Sequence, residues 1–243
     1  MTLEICASNY HSALNAQDAG AHRIELCQEL AIGGITPSYG LLKEVLDTID
    51  LPVVVLIRPR SGHFTYTEAE FNIMKADIAL CKDLGAKGIA SGILNCDNTI
   101  DMERTKELVE LSKPLTFTFH RAFDWTPHPL KALSNLIDIG VNTILTSGKE
   151  TTAEKGLELL IQLKSKTENK INILPGGGIN SSNVSLFKSS GFNEIHASAS
   201  SRKTVLETSV ISMNSTNFLS DKDLYYSDKA KITSILTQLQ HDS

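Results

Sequence analysis

The 243-residue chain lacks most of the short motifs that announce a chemistry on their own. Its four cysteines, Cys6, Cys27, Cys81 and Cys96, are scattered, with no CxxC pair, and no HExxH is present. In a reducing compartment such cysteines are free thiols and not a disulfide framework. There are only four methionines, so there is no Met-rich tract to hold a soft metal. No GxGxxG follows a strand pattern and no P-loop lysine motif occurs, which removes the nucleotide-cofactor fingerprints. A net charge of −5, a pI near 5.8 and the absence of a Lys/Arg cluster argue against nucleic acid and membrane surfaces as partners. No apolar run approaches the roughly 20 residues of a membrane span, and the opening "MTLEICASNY" has no basic segment leading into an apolar one. A cytoplasmic protein is expected.

What is present is a repeating alternation. Eight β-rich runs, at 3–7, 23–26, 53–57, 88–91, 115–119, 142–145, 171–174 and 194–197, are separated by amphipathic stretches such as "TEAEFNIMKADIALCKDLG" and "MERTKELVELSK". Several of these stretches stop at a glycine: Gly20, Gly85, Gly140 or Gly191. With no linker or low-complexity segment, this pattern predicts an α/β fold, a TIM-type (β/α)8 barrel forming a single domain over residues 1–243. A doubly wound open sheet is the competing arrangement. Residues 201–220 break the pattern and read as an irregular insertion before a final helix near 221–240.

Strand parity says which residues enter the barrel. Successive strand side chains point to opposite faces, so with Leu3, Ile5, Ala7, Ile24, Leu26, Phe117 and Phe119 facing the helices, Glu4, Cys6, Glu25, Cys27, Thr116, Thr118 and His120 face inward. The same rule brings Arg58 in from the third strand, and Glu194 and His196 from the eighth. Barrel interiors are usually branched and apolar, and burying charged groups is costly unless they pair. A polar interior therefore marks a site, placed at the C-terminal ends of the strands. The run "TFTFHRAFD" delivers His120, Arg121 and Asp124 there, and "IRPR" delivers Arg58 and Arg60.

In chain order, "RIELCQELAIGGITPS", "IRPRSGHFTY", "TFTFHRAFD", "ILTSG" and "ILPGGGIN" resemble the CutC family, long called copper homeostasis proteins, and the resemblance runs from about residue 2 to residue 200. The resemblance implies a TIM-type barrel, a cytosolic location, self-association as a homo-oligomer and a role in copper binding or trafficking. Two readings of the residues follow. Cys6 and Cys27 are the cysteines placed to hold Cu(I), a soft ion that takes thiolates. Alternatively the barrel is an enzyme acting on a small anionic carboxylate or phosphate metabolite. In that reading Glu25 and His120 form an acid/base pair, Asp124 orients His120 or Arg121, and Arg58, Arg60 and Glu4 bind substrate. The loop glycines Gly176, Gly177 and Gly178 would cradle an anion, with a helix starting at Asn180 or Ser181. Each element also has a structural reading: a core histidine, an ion pair between Arg121 and Asp124, a tight connection at the glycines.

Overall fold

The computed structural model describes residues 1–206, 211 and 221–241. Its first part alternates eight strands with seven helices. The strands are β1 (Thr2–Ala7), β2 (Arg23–Leu26), β3 (Val53–Leu56), β4 (Gly88–Ser91), β5 (Thr116–Phe119), β6 (Thr143–Thr146), β7 (Asn172–Pro175) and β8 (Glu194–Ala197). The helices between them are α1 (Tyr10–Ala19), α2 (Tyr39–Thr48), α3 (Glu68–Asp83), α4 (Met102–Ser112), α5 (Pro129–Asp138), α6 (Leu157–Ser165) and α7 (Val184–Ser189). Local chemistry explains the boundaries. Thr67 and Glu70 form a capping box that starts α3, and Phe71, Met74, Ile78 and Cys81 give it one buried face. Gly20 ends α1 at φ 85°, a left-handed turn that a residue with Cβ adopts only under strain.

All eight strands pair in parallel in the order β7-β6-β5-β4-β3-β2-β1-β8. The ring closes between β7 and β8 through a parallel bridge from Gly176 to His196. This is the TIM-type barrel. The parity pattern is realised as two cores. Leu3, Ile5, Ala7, Ile24, Leu26, Val53, Val55, Phe117 and Phe119 pack between sheet and helices, where burial of each phenylalanine contributes roughly 2–3 kcal/mol. Inside the ring a small cluster of Cys6, Cys27, Val54, Leu56 and Ala90 is accompanied by buried Glu4, Glu25, Thr118, His120 and His196.

The segment after β8 is more regular than its sequence pattern suggests. Strand β9 (Ser200–Thr204) pairs antiparallel with β10 (Asp223–Ser227), and the last helix, α8, spans Lys229–His241. The final helix therefore starts later than 221, because "DLYYS" is claimed by strand pairing. Residues 207–210 and 212–220 of the expected irregular insertion lie outside the described residues. The hairpin is pinned to the barrel by side chains on and before α1: Asn9 donates to the Tyr225 carbonyl and Asn15 to the Ser227 carbonyl. The Ser227 hydroxyl donates to the carbonyl of Cys6, 3.0 Å away, so β10 buttresses the end of β1. Among the described residues no helix is long and apolar enough to cross a membrane.

Candidate functional site

A cavity of about 420 Å³ opens at the C-terminal ends of the strands. Its polar lining comes from Cys6, Glu25, Arg58, His120, Arg121, Asp124 and His196, and its apolar lining from Leu30, Leu56, Phe64, Trp125 and Leu145. The polar residues fall into two walls with different chemistry.

The first wall is built by β1, β2 and β8. Register places Cys6 beside Glu25 and Glu4 beside His196. The sulfurs of Cys6 and Cys27 are 3.7 Å apart, and Cys6 Sγ lies 3.8 Å from Glu25 Oε1. Ligand atoms of Cys6, Glu25 and His196 all lie within 4.8 Å of one another, a group compact enough to hold a metal ion. Behind them Glu4 Oε1 is 2.8 Å from His196 Nδ1, and Arg23 bridges Glu4 to Glu194. Carboxylate-backed imidazoles of this kind recur at metal sites, because the carboxylate fixes the ring and leaves its other nitrogen facing the ion.

Charge in this wall is tightly interlocked. Burial disfavours the Glu4 carboxylate, yet the hydrogen bond and charge of His196, together with Arg23, outweigh it and hold Glu4 below the ordinary value. Burial likewise opposes protonation of His196, but its hydrogen bonds with Cys6 and Glu4 and the charges of Glu25 and Glu4 raise it well above the ordinary imidazole. Burial pushes Glu25 up to about 7 against the charge of His196. The bond with Cys27, reinforced by burial, raises the Cys6 thiol far above its usual range.

The second wall comes from β3, β5, β6 and the loops that follow them. Arg58 is buried and its terminal nitrogens donate to the carbonyls of Ile32, Gly34 and Gly62 at 2.8–3.0 Å, which ties two loops together. His120 ends β5 and caps the 3-10 turn Arg121–Trp125, its Nδ1 accepting from the Ala122 amide at 3.3 Å. Burial and the Arg58 charge drive this imidazole down to about 3, so the ring is neutral at physiological pH. Since Nδ1 accepts, the ring proton sits on Nε2. Phe64 packs against His120, Trp125 and the Arg58 guanidinium, with centroid separations of 5.0, 4.9 and 5.2 Å.

The structure brings Glu25, Arg58, His120, Arg121 and Asp124 to one cavity, with Gly177 and Gly178 at its edge. Other expected residues take different places. Arg60 turns away from the cavity: it pairs with Glu70 at the start of α3 and donates to the carbonyls of Ser61, His63 and Thr65, bracing a loop. Glu4 lies behind His196 and not against the cavity. Gly176 backs onto Leu145 and His196 at the barrel seam. Asp124 does not reach His120. It accepts from Thr146, from the amides of Ser147 and Lys149 and from the Ser147 hydroxyl, and it pairs with Arg121 at 2.9 Å. The loop after β7 starts no helix at Asn180 or Ser181. Asn180 instead folds back on Ser182, and the short α7 begins at Val184.

Three participants were not among the expected site residues. His196 pointed inward by strand parity, but only closure of β8 onto β1 sets it against Glu4. Phe64 and Trp125 follow Arg58 and Asp124 closely in the chain, and no periodic signal marks loop aromatics as cavity walls.

Comparison with known proteins agrees with this architecture. The CutC family model matches residues 1–201. A family protein CutC of Proteus mirabilis is 49% identical over 197 residues, covering 81% of this chain and 78% of its own length. The mouse protein named copper homeostasis protein cutC homolog is 41% identical over 237 residues, covering 96% of this chain and 87% of its own. The crystal structure of a CutC protein from Streptococcus agalactiae superposes with a TM-score of 0.77 at 32% identity, covering 82% of this chain and 98% of the other. With its barrel, its polar interior and these relatives in agreement, the chain belongs to the CutC family.

Proposed function

We propose that the protein serves copper homeostasis by holding Cu(I) as cargo at Cys6, Cys27 and His196. The observation that carries this reading is the pair of sulfurs 3.7 Å apart, one of which, Cys6 Sγ, lies within 4.8 Å of a ring nitrogen of an imidazole whose Nδ1 is held by Glu4. Thiolate and imidazole suit a soft monovalent ion, whereas the nearby Glu25 carboxylate does not. Glu25 has a different task. Both thiols and the imidazolium must lose protons when the ion enters, and Glu25, next to Cys6, is placed to accept one of them. Names of relatives such as the mouse protein support copper as the element concerned. The family resemblance also carries a cytosolic, single-domain, self-associating protein, and exposed Leu224 and Tyr225 on the hairpin offer apolar surface for self-association.

The test is anaerobic titration of reduced protein with Cu(I) against a competing chelator. Stoichiometric binding that falls at least about 1000-fold in Cys6→Ser/Cys27→Ser supports the proposal, a loss of about 4 kcal/mol. Binding that the substitutions leave unchanged, or that cannot compete with the chelator, overturns it.

A further inference from the structure

Arg58 is 6% exposed, and its terminal nitrogens end on three neutral groups, the carbonyls of Ile32, Gly34 and Gly62. Its neighbours supply no counter-charge. Phe64 covers the guanidinium at 5.2 Å, and burial pushes the Tyr66 phenol up to about 12, which leaves it neutral at physiological pH. Glu70 pairs with Arg60, and Glu4 in the opposite wall pairs with His196 and Arg23. No carboxylate among the described residues pairs with Arg58. Buried charges are paired as a rule, and the one open space beside this cation is the cavity it lines.

Arg121 stands at the mouth of the same cavity with 46% of its side chain exposed. Its Nε donates to Asp124 at 2.9 Å and its Nη2 to Ser147 Oγ at 2.7 Å, which leaves Nη1 without a partner among the described residues. Asp124 does not need this arginine, because Thr146 and the amides of Ser147 and Lys149 already hold it. The contacts serve to aim the guanidinium. Nη1 lies against the loop after β7: a Cβ on Gly177 would sit 3.5 Å from it and 3.3 Å from Ser147 Cβ. Gly177 and Gly178 have φ of 108° and 75°, which suit glycine. The Gly177 carbonyl accepts from the Ala153 amide at 2.8 Å, so the Gly178 N–H of the same trans peptide points the other way and donates to nothing among the described residues. An accessible guanidinium nitrogen and an unbonded amide thus share one lip of the cavity.

We infer that the cavity binds a small organic phosphate. The phosphate rests on the lip against Arg121 Nη1 and the Gly178 amide, and Arg58 adds its charge through the low-dielectric interior. The carbon portion lies along Phe64, Trp125, Leu56 and Leu145. Arginine and backbone amides together are recurrent phosphate donors, and three terminal oxygens serve donors from two loops better than the two of a carboxylate. A volume of about 420 Å³ exceeds what inorganic phosphate fills and suits an ester. The inference stands apart from the copper reading, since neither Arg121 nor Gly178 belongs to the wall that carries the thiols.

The test screens full-length, metal-free protein by ligand-observed NMR and measures hits by calorimetry. The probes are glycerol 3-phosphate, ribose 5-phosphate and phenyl phosphate, with glycerol, ribose, phenol, glycerate and inorganic phosphate as controls. At least one ester should bind about tenfold or more tighter than its phosphate-free counterpart, than glycerate and than inorganic phosphate. Arg121→Gln should weaken that ester about tenfold or more with unchanged circular dichroism. Arg121→Lys, which keeps the charge but loses the fork held by Asp124 and Ser147, should fall between wild type and Arg121→Gln. If Arg121→Gln does not fold, Arg121→Met takes its place. Cys27→Ser should leave ester binding within about twofold while weakening Cu(I), so the two sites fail separately. Absence of ester binding, esters bound no tighter than the controls, or binding indifferent to the Arg121 variants overturns the inference; inorganic phosphate matching the esters would mean an adventitious ion only.

Discussion

The two walls of the cavity satisfy their buried polar groups in opposite ways. In the wall formed by β1, β2 and β8, side chains answer side chains: Glu4 with His196 and Arg23, Cys6 with Cys27 and Glu25. In the wall formed by β3, β5 and β6, the backbone does much of the work. Three carbonyls hold Arg58, an amide holds His120, and two amides help hold Asp124. A side-chain network can exchange protons and take in an ion with little movement of the chain. A backbone-held wall is fixed in shape, because moving Arg58 means moving two loops. One wall is therefore suited to an ion that displaces protons, and the other to recognising a molecular outline.

The largest effect that would sharpen this contrast lies in Arg58. Arg58→Ala strands the carbonyls of Ile32, Gly34 and Gly62, and the protein should lose about 3–4 kcal/mol of stability in denaturant unfolding. A loss below about 1 kcal/mol would mean the loops hold themselves and would break the comparison.

Next in size is a pH effect. His120 has a folded value of about 3, below the ordinary imidazole value of 6.5. The unfolded state then binds the extra proton between those values, so this contribution is present above pH 6.5 and is lost as pH falls. Relative to His120→Gln, wild type should lose about 2 kcal/mol between pH 6.5 and 5. Glu25, raised to about 7 from 4.5, acts with the opposite sign: its contribution is present below pH 4.5 and lost as pH rises toward 7. For that reason the variant difference, and not the wild-type curve alone, is the readout. Parallel curves for the two proteins would remove the buried neutral imidazole from the argument.

The smallest effect concerns Glu4. Glu4→Gln keeps a hydrogen-bond acceptor for His196 but removes the charge behind it, and Cu(I) affinity should drop about tenfold in the chelator competition. An unchanged affinity would make His196 a bystander to the thiols.

How much of this the sequence showed differs between the same two walls. Parity on β1, β2 and β5 placed Glu4, Cys6, Glu25 and His120 inside, since a period of two is a local property that survives into the fold. The carbonyls that hold Arg58 and the amides that hold Asp124 carry no side-chain signature, so their positions depend on loop paths that no spacing encodes. Arg60 shows the cost of that blindness. It sits two residues from Arg58 and looked equivalent, but the capping box of α3 placed Glu70 within its reach. Strand order was readable from alternation, whereas β10 was not, because a strand that pairs across a long excursion has no partner nearby in sequence.

The seam of the barrel gains meaning from who makes it. β7 and β8 meet through Gly176 and His196, and a methyl on Gly176 would run into Leu145 at 2.5 Å. The residue that fastens the ring shut is thus the residue whose imidazole meets the Cys6 thiol. On the copper reading proposed above, the ligand and the seam share one residue, and amide exchange along β7 and β8 should slow when Cu(I) is added.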